Sequence, residues 1–182
     1  MEEKKYIHIY TGDGKGKTTA AIGLALRFFG NGGKVYIAHF LKFKKSSETL
    51  GFEKIDSLER YKIKIDYFGT KKYNTDEEKL HLFRKTDFGI NIALKRMLSG
   101  DYGLIILDEI LIAISLDMVK LKTVLDFIKK KPDNVELVLT GRNCPKEIIE
   151  KADLVTEMKE IKHYYNNGVL ARKGIELWKF SF

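Results

Sequence analysis

Short apolar runs alternate along the chain with stretches in which apolar residues recur every three to four positions, a pattern that predicts an α/β fold with a mostly parallel sheet flanked by crossover helices. Tyr6-Ile7-His8-Ile9-Tyr10 reads as the first strand, and the Ala- and Leu-rich stretch from Thr18 to Phe29 as the helix after it. Gly30-Asn31-Gly32-Gly33 closes that helix, because these residues accept the left-handed geometry that a helix C-terminus favours. Val35 to Phe40 predicts a second, buried strand, and Lys62 to Phe68, with Lys and Ile in alternation, a more exposed third. From Lys42 to Tyr61 no period dominates.

Thr75-Asp76-Glu77-Glu78 has the character of a helix start, with a capping hydroxyl and acids in the first turn, where the helix dipole favours negative charge. The predicted helix runs to Ser99, and Leu80, Phe83, Ile90, Leu94 and Met97 at helical spacing give it a face packed on the sheet. Leu104-Ile105-Ile106-Leu107-Asp108 is the strongest central strand. Leu121, Val124, Leu125 and Ile128 form the inner face of the next helix, and Val135 to Thr140 another strand. Two segments flank Asn167-Gly168, a dipeptide suited to a hairpin turn, so the sheet is expected to finish with an antiparallel C-terminal hairpin.

Composition narrows the class. The 182 residues, 44% apolar with only 2 prolines and no low-complexity stretch, suit a single domain over residues 1–182. No apolar run approaches the roughly 18 residues of a membrane span, and Met1-Glu2-Glu3-Lys4-Lys5 leads straight into a strand, so a cytoplasmic protein is expected. One cysteine, Cys144, permits neither an internal disulfide nor a cysteine-built metal site. The formal charge of +8 suits an anionic partner: triphosphate, nucleic acid and an acidic protein would each satisfy it.

The candidate chemistry lies in Thr11-Gly12-Asp13-Gly14-Lys15-Gly16-Lys17-Thr18-Thr19, between a predicted strand and a predicted helix. Small residues there let backbone N–H groups converge on phosphate oxygens, and the helix N-terminus adds its partial positive charge. Lys17 supplies a full charge and Thr18 a hydroxyl for Mg²⁺, so Gly12, Asp13, Gly14, Lys15, Gly16, Lys17, Thr18 and Thr19 are the candidate ATP-binding residues. Thr11 stands where the general pattern has its first glycine. The predicted architecture is a single-domain P-loop NTPase-like fold.

Asp108 and Glu109 end the most apolar strand at the sheet edge where ligands bind in open α/β folds. With Thr18 they are candidate metal-side residues, since Mg²⁺ prefers hard oxygen ligands; capping of the following helix is the other reading. Arg142, at the end of a predicted strand, can reach phosphate or ribose from the same edge, and with Lys17 and Thr18 it completes the candidate catalytic set. No Ser/His/Asp or Cys/His constellation is evident, and His8, His39, His81 and His163 read as structural or solvent-facing. Lys162 and His163 are weaker candidates, because charges beside a hairpin are usually solvated.

The cradle, continued through Ala20-Ala21, resembles that of the P-loop ATP:corrinoid adenosyltransferases. The likeness extends through Val35 to Lys42, with His39 where a glutamine is more usual, and through Leu107-Asp108-Glu109. Thr140 to Cys144, Ala152 to Met158, Lys162-His163 and Gly174-Ile175-Glu176 then follow in the family's order. The resemblance implies that a Co(I) corrinoid attacks the 5′-carbon of ATP and that triphosphate leaves. ATP and the corrinoid are then the substrates, Mg²⁺ the metal, and a reductant, a flavoprotein, the source of Co(I); a homodimer stays open. The family commonly carries a Gly-Phe-Thr-Trp stretch after its third strand whose aromatics displace the lower cobalt ligand. This chain has Tyr67-Phe68-Gly69-Thr70, so Phe68 and Tyr73 are the candidate corrinoid contacts. Two rivals share the cradle: an ATPase or kinase cleaving the outer phosphates, and a nucleotide-dependent nucleic-acid-binding module, the latter without any evident motif.

Overall fold

The computed structural model describes residues 4–42, 47–59, 62–70, 74–172 and 174–175. Among these residues six strands form one sheet: β1 (Ile7–Thr11), β2 (Val35–His39), β3 (Ile63–Tyr67), β4 (Leu104–Asp108), β5 (Glu136–Thr140) and β6 (Leu154–Glu157). Their spatial order is β3-β2-β4-β5-β1-β6, and every neighbouring pair is parallel. The helices are α1 (Lys17–Gly30), α2 (Ser47–Glu59), α3 (Asp76–Leu98), α4 (Ile110–Ser115), α5 (Leu121–Lys129) and α6 (Lys146–Ile149).

A strand covered on both faces needs no polar alternation, and β2 and β4 are buried at every position. Their side chains instead divide between two cores. Val35, Ile37, Leu104, Ile106 and Val138 face α1, whose Ala21 and Ala25 carry no accessible surface and let the helix approach closely. Tyr36, Ala38, Ile105, Leu107, Leu137 and Leu139 face the larger core, with Ile90 and Met97 of α3 and Val124 and Phe127 of α5. Because side chains alternate along a strand, a shift of one residue would exchange the two sets, so the double burial fixes the register.

Thr75 caps α3 as its composition predicts: the Thr75 hydroxyl accepts from the Glu78 backbone N–H at 3.2 Å, and the Glu78 carboxylate accepts from the Thr75 N–H at 3.2 Å. The packed face is a correction. Ile90 and Met97 lie in it and Leu94 packs at its margin, but its other buried members are Leu82, Thr86, Gly89 and Ala93, whereas Leu80 is exposed and Phe83 half-buried. Thr86 tolerates burial because its hydroxyl bonds the Leu82 carbonyl at 2.8 Å. Gly89 accommodates the Phe68 ring, since a Cβ there would lie 2.4 Å from it.

The terminal hairpin is a second correction, made among the described residues. Tyr164–Asn167 forms a 3-10 turn that closes at Gly168 with φ 80°, so Asn167-Gly168 ends a turn of helix rather than joining two strands. The last described strand, β6, is parallel to β1. The undecided stretch from Lys42 to Tyr61 contains α2.

Candidate nucleotide site

The parallel registers put the last residues of neighbouring strands in one row at the sheet's carboxyl edge. Tyr67 pairs with His39, His39 with Asp108, and Thr140 with Tyr10. The loop from Gly12 to Gly16 leaves β1 at this edge and turns into α1. It is braced by the chain that continues β6: the Met158 N–H donates to the Thr11 carbonyl at 2.8 Å, and the Gly14 N–H to the Met158 carbonyl at 2.7 Å. The packing requires glycine at two positions. A Cβ on Gly12, whose φ is 93°, would lie 2.5 Å from the Met158 carbonyl oxygen, and one on Gly14 would lie 2.8 Å from the Lys159 backbone.

Lys17 opens α1 and is buried, its ammonium donating to the Gly12 carbonyl at 2.6 Å and the Gly14 carbonyl at 2.7 Å. Burial lowers its pKa from the ordinary lysine value, with Glu109 opposing and Arg142 adding to the shift. Thr18, one residue on, donates its hydroxyl to Asp108 Oδ1 at 2.8 Å, joining α1 to the end of β4.

Asp108 is 1% exposed and accepts from four side chains. Thr18 and Thr140 bond Oδ1, each at 2.8 Å, while His39 Nδ1 bonds Oδ2 at 2.7 Å and Lys42 Nζ at 3.0 Å. Burial alone would raise the carboxyl pKa, but Lys42, His39 and Thr18 hold it far below the usual carboxylate range. Glu109 follows in the left-handed region at φ 63°, its backbone N–H donating to the Thr140 hydroxyl at 2.9 Å. It stands at the N-terminus of α4, but its side chain makes no capping hydrogen bond. Burial and the neighbouring Asp108 charge push the Glu109 pKa upward.

An open cleft of about 400 Å³ covers this constellation. Asp13, Gly14, Lys15, Gly16, Lys17, Thr18 and Thr19 line it together with Glu109 and Arg142. Arg142 is largely exposed and leans on the loop, its guanidinium donating to the Asp13 carbonyl at 3.3 Å. The segment after β6 adds Glu160 and His163 to the wall, and Lys15 donates to the Tyr164 hydroxyl at 3.0 Å. Thus Gly14 to Thr19, Asp13, Glu109 and Arg142 share one cleft, with Asp108 directly beneath. Phe68 lies apart from it: the ring is buried between Phe40, at 5.7 Å, and the exposed Phe88, at 6.4 Å. Tyr73 lies outside the described residues.

Sequence reasoning left His39 as structural or solvent-facing and gave Lys42 and Thr140 no role at the site. A polar residue ending an otherwise apolar strand was the available signal for His39 and Thr140, and only the sheet order shows that both flank Asp108.

A parallel sheet carrying a glycine-rich strand-to-helix loop, a buried lysine and a threonine–aspartate link across the edge defines a nucleotide-binding protein of the P-loop class. Solved structures agree on the fold. FlaH, a flagellar accessory protein from Methanocaldococcus jannaschii, is similar with a TM-score of 0.53 at 15% identity, over 85% of this chain and 71% of that one. A KaiC-like protein from Pyrococcus horikoshii gives a TM-score of 0.52 at 19% identity, over 96% of this chain and 76% of that one. The family model described as ATP:corrinoid adenosyltransferase BtuR/CobO/CobP matches residues 3–177, and the chain belongs to that family of transferases. The corrinoid adenosyltransferase of Pseudomonas aeruginosa is 31% identical over 176 residues, 96% of this chain and 85% of the relative. That of Escherichia coli is 31% identical over 177 residues, 97% of this chain and 87% of the relative. Among the described residues no helix is long and apolar enough to cross a membrane.

Proposed function

We propose that this chain transfers the 5′-deoxyadenosyl group of ATP to the Co(I) of a corrinoid and releases triphosphate, in the biosynthesis or salvage of adenosylcobalamin. The cobalt supplies an electron pair to C5′, a Co–C bond forms, and the C5′–O bond breaks with its pair going to the triphosphate. The family match from residue 3 to residue 177, laid over the phosphate cradle, carries this reading.

The chemistry asks for no proton transfer to carbon and no protein nucleophile. It asks for alignment of cobalt, C5′ and the departing oxygen, and for stabilisation of the charge gathering on that oxygen. In this reading the N–H groups from Asp13 to Thr19 and the Lys17 ammonium hold the polyphosphate, and Arg142, bonded to the loop at Asp13, adds a second cation. Thr18, Asp108 and Glu109 form the magnesium side. Among the described residues no group of three or more His, Cys, Asp or Glu gathers into a metal site, so a cation here would draw on phosphate oxygens and water besides these residues. That shared shell is how Mg²⁺ is usually held with nucleotides. Bound there, it would neutralise part of the phosphate charge.

The corrinoid has Phe68 and Tyr73 as its proposed contacts, a flavoprotein as the proposed source of Co(I), and the cytoplasm as the proposed setting. A homodimer is compatible with the reading. Incubation with ATP, Mg²⁺ and a chemically reduced corrinoid should yield triphosphate together with the absorption spectrum of an adenosylated cobalt. ADP or orthophosphate as the main product, with no spectral change, would instead mark a hydrolase or kinase.

A further inference from the structure

We propose that His39 is a positioning residue for the magnesium side of the nucleotide site, through the hydrogen bond that fixes the Asp108 carboxylate. The inference rests on the reading of Asp108 given above and extends it to a residue that does not line the cleft.

His39 is 1% exposed and ends β2 directly opposite Asp108 in the parallel register. Its Nδ1 lies 2.7 Å from Asp108 Oδ2, and with a carboxylate as partner Nδ1 is the donor. The other ring nitrogen, Nε2, is buried and has no hydrogen-bond partner among the described residues. Packing therefore holds the far side of the ring: Tyr67, the register neighbour on β3, stacks on it with centroids 5.0 Å apart and planes 23° apart. The Tyr67 hydroxyl is itself bonded to the Thr49 hydroxyl on α2.

The consequence falls on the carboxylate. His39 and Lys42 occupy Oδ2, and that orientation turns Oδ1 toward Thr18 and Thr140. Lys42 is long and partly exposed, with 32% of its side chain accessible, whereas His39 is short, buried and stacked. A buried donor with a single available geometry sets the plane of its acceptor more tightly than a flexible ammonium does. Without it the carboxylate can rotate away from Thr18, whose hydroxyl is another oxygen donor to the proposed cation.

The test is ATP binding to the purified full-length chain, measured calorimetrically while Mg²⁺ is titrated and again in EDTA. His39→Leu keeps bulk and removes the donor, and the Mg²⁺ concentration for half-maximal ATP binding should rise by about 10–100-fold, with affinity in EDTA unchanged. His39→Asn places an amide N–H where Nδ1 stands and should restore most of the Mg²⁺ response. His39→Met carries the same comparison should the leucine variant fail to fold. The proposal is overturned if the donor-free variants keep the parental Mg²⁺ dependence, or if they lose as much affinity in EDTA as in Mg²⁺. Asp108→Asn separates the two readings. If Asp108→Asn shifts the Mg²⁺ response and the donor-free variants do not, only the role of His39 falls; if Asp108→Asn has no effect either, the magnesium-side reading falls with it.

Discussion

The Thr18 hydroxyl donates to Asp108 Oδ1 across 2.8 Å, tying the first turn of α1 to the end of β4, two elements 90 residues apart in sequence. The tie brings the phosphate cradle and the acidic strand end into one rigid unit, because α1 packs on β4 through Ala21, Ala25 and Leu104.

Lys17→Met should lower kcat/KM for adenosyl transfer by about 10²–10³, the usual cost of losing one donor aimed at developing negative charge. Folding should hardly change. Burial already disfavours the charged amine, which offsets the loss of the bonds to Gly12 and Gly14, so urea unfolding should shift by no more than about 1 kcal/mol. Parental turnover in the variant would remove Lys17 from the site.

Gly12→Ala should be more damaging to stability. The added Cβ meets the Met158 carbonyl at 2.5 Å on a backbone with φ 93°, so the brace on the loop must open. A loss of about 2–3 kcal/mol in urea unfolding is expected, combining left-handed strain with the displaced contact. Wild-type stability with intact nucleotide binding would show that Met158 yields freely.

The buried Asp108 makes stability fall in acid. Its folded pKa is held far below the ordinary 3.8, so the unfolded chain takes up this proton first. The contribution is therefore complete above 3.8 and is lost progressively as the pH drops below it. Asp108→Asn should be less stable than the parent near neutrality, and the gap should narrow as the pH falls below about 4 in thermal melts. A gap independent of pH would contradict the ion-pair account.

Burial pushes the Cys144 thiol from 9.0 up to about 11. At pH 8 the native thiolate fraction is then roughly 100-fold below that of the unfolded chain, and alkylation should slow accordingly. Iodoacetamide labelling followed by mass spectrometry, with and without urea, measures the ratio. Equal rates would place Cys144 in water.

Much of this was legible in the sequence, for identifiable reasons. The strands from Val35 and Leu104 are buried on both faces and so read as unbroken apolar runs, while the glycines at Gly12 and Gly14 mark a loop pressed against another backbone. The packed face of α3 was legible only in part: Ile90 and Met97 were found, but Thr86 and Gly89 lie buried there for reasons of local bonding and close approach that hydrophobic spacing does not register. The Asn-Gly turn misled because the same dipeptide that closes hairpins also ends a helical turn with a left-handed glycine. The donors around Asp108 were hidden for a different reason: His39 and Thr140 become its neighbours only through the strand order, which spacing along the chain does not encode.

The brace from Met158 has a consequence for biosynthesis of the protein. The cradle is written near the start of the chain, yet the backbone that supports it is 144 residues further on, at the end of the strand beside β1. A chain emerging from the ribosome therefore carries the loop without this brace until β6 and Met158 have also been made.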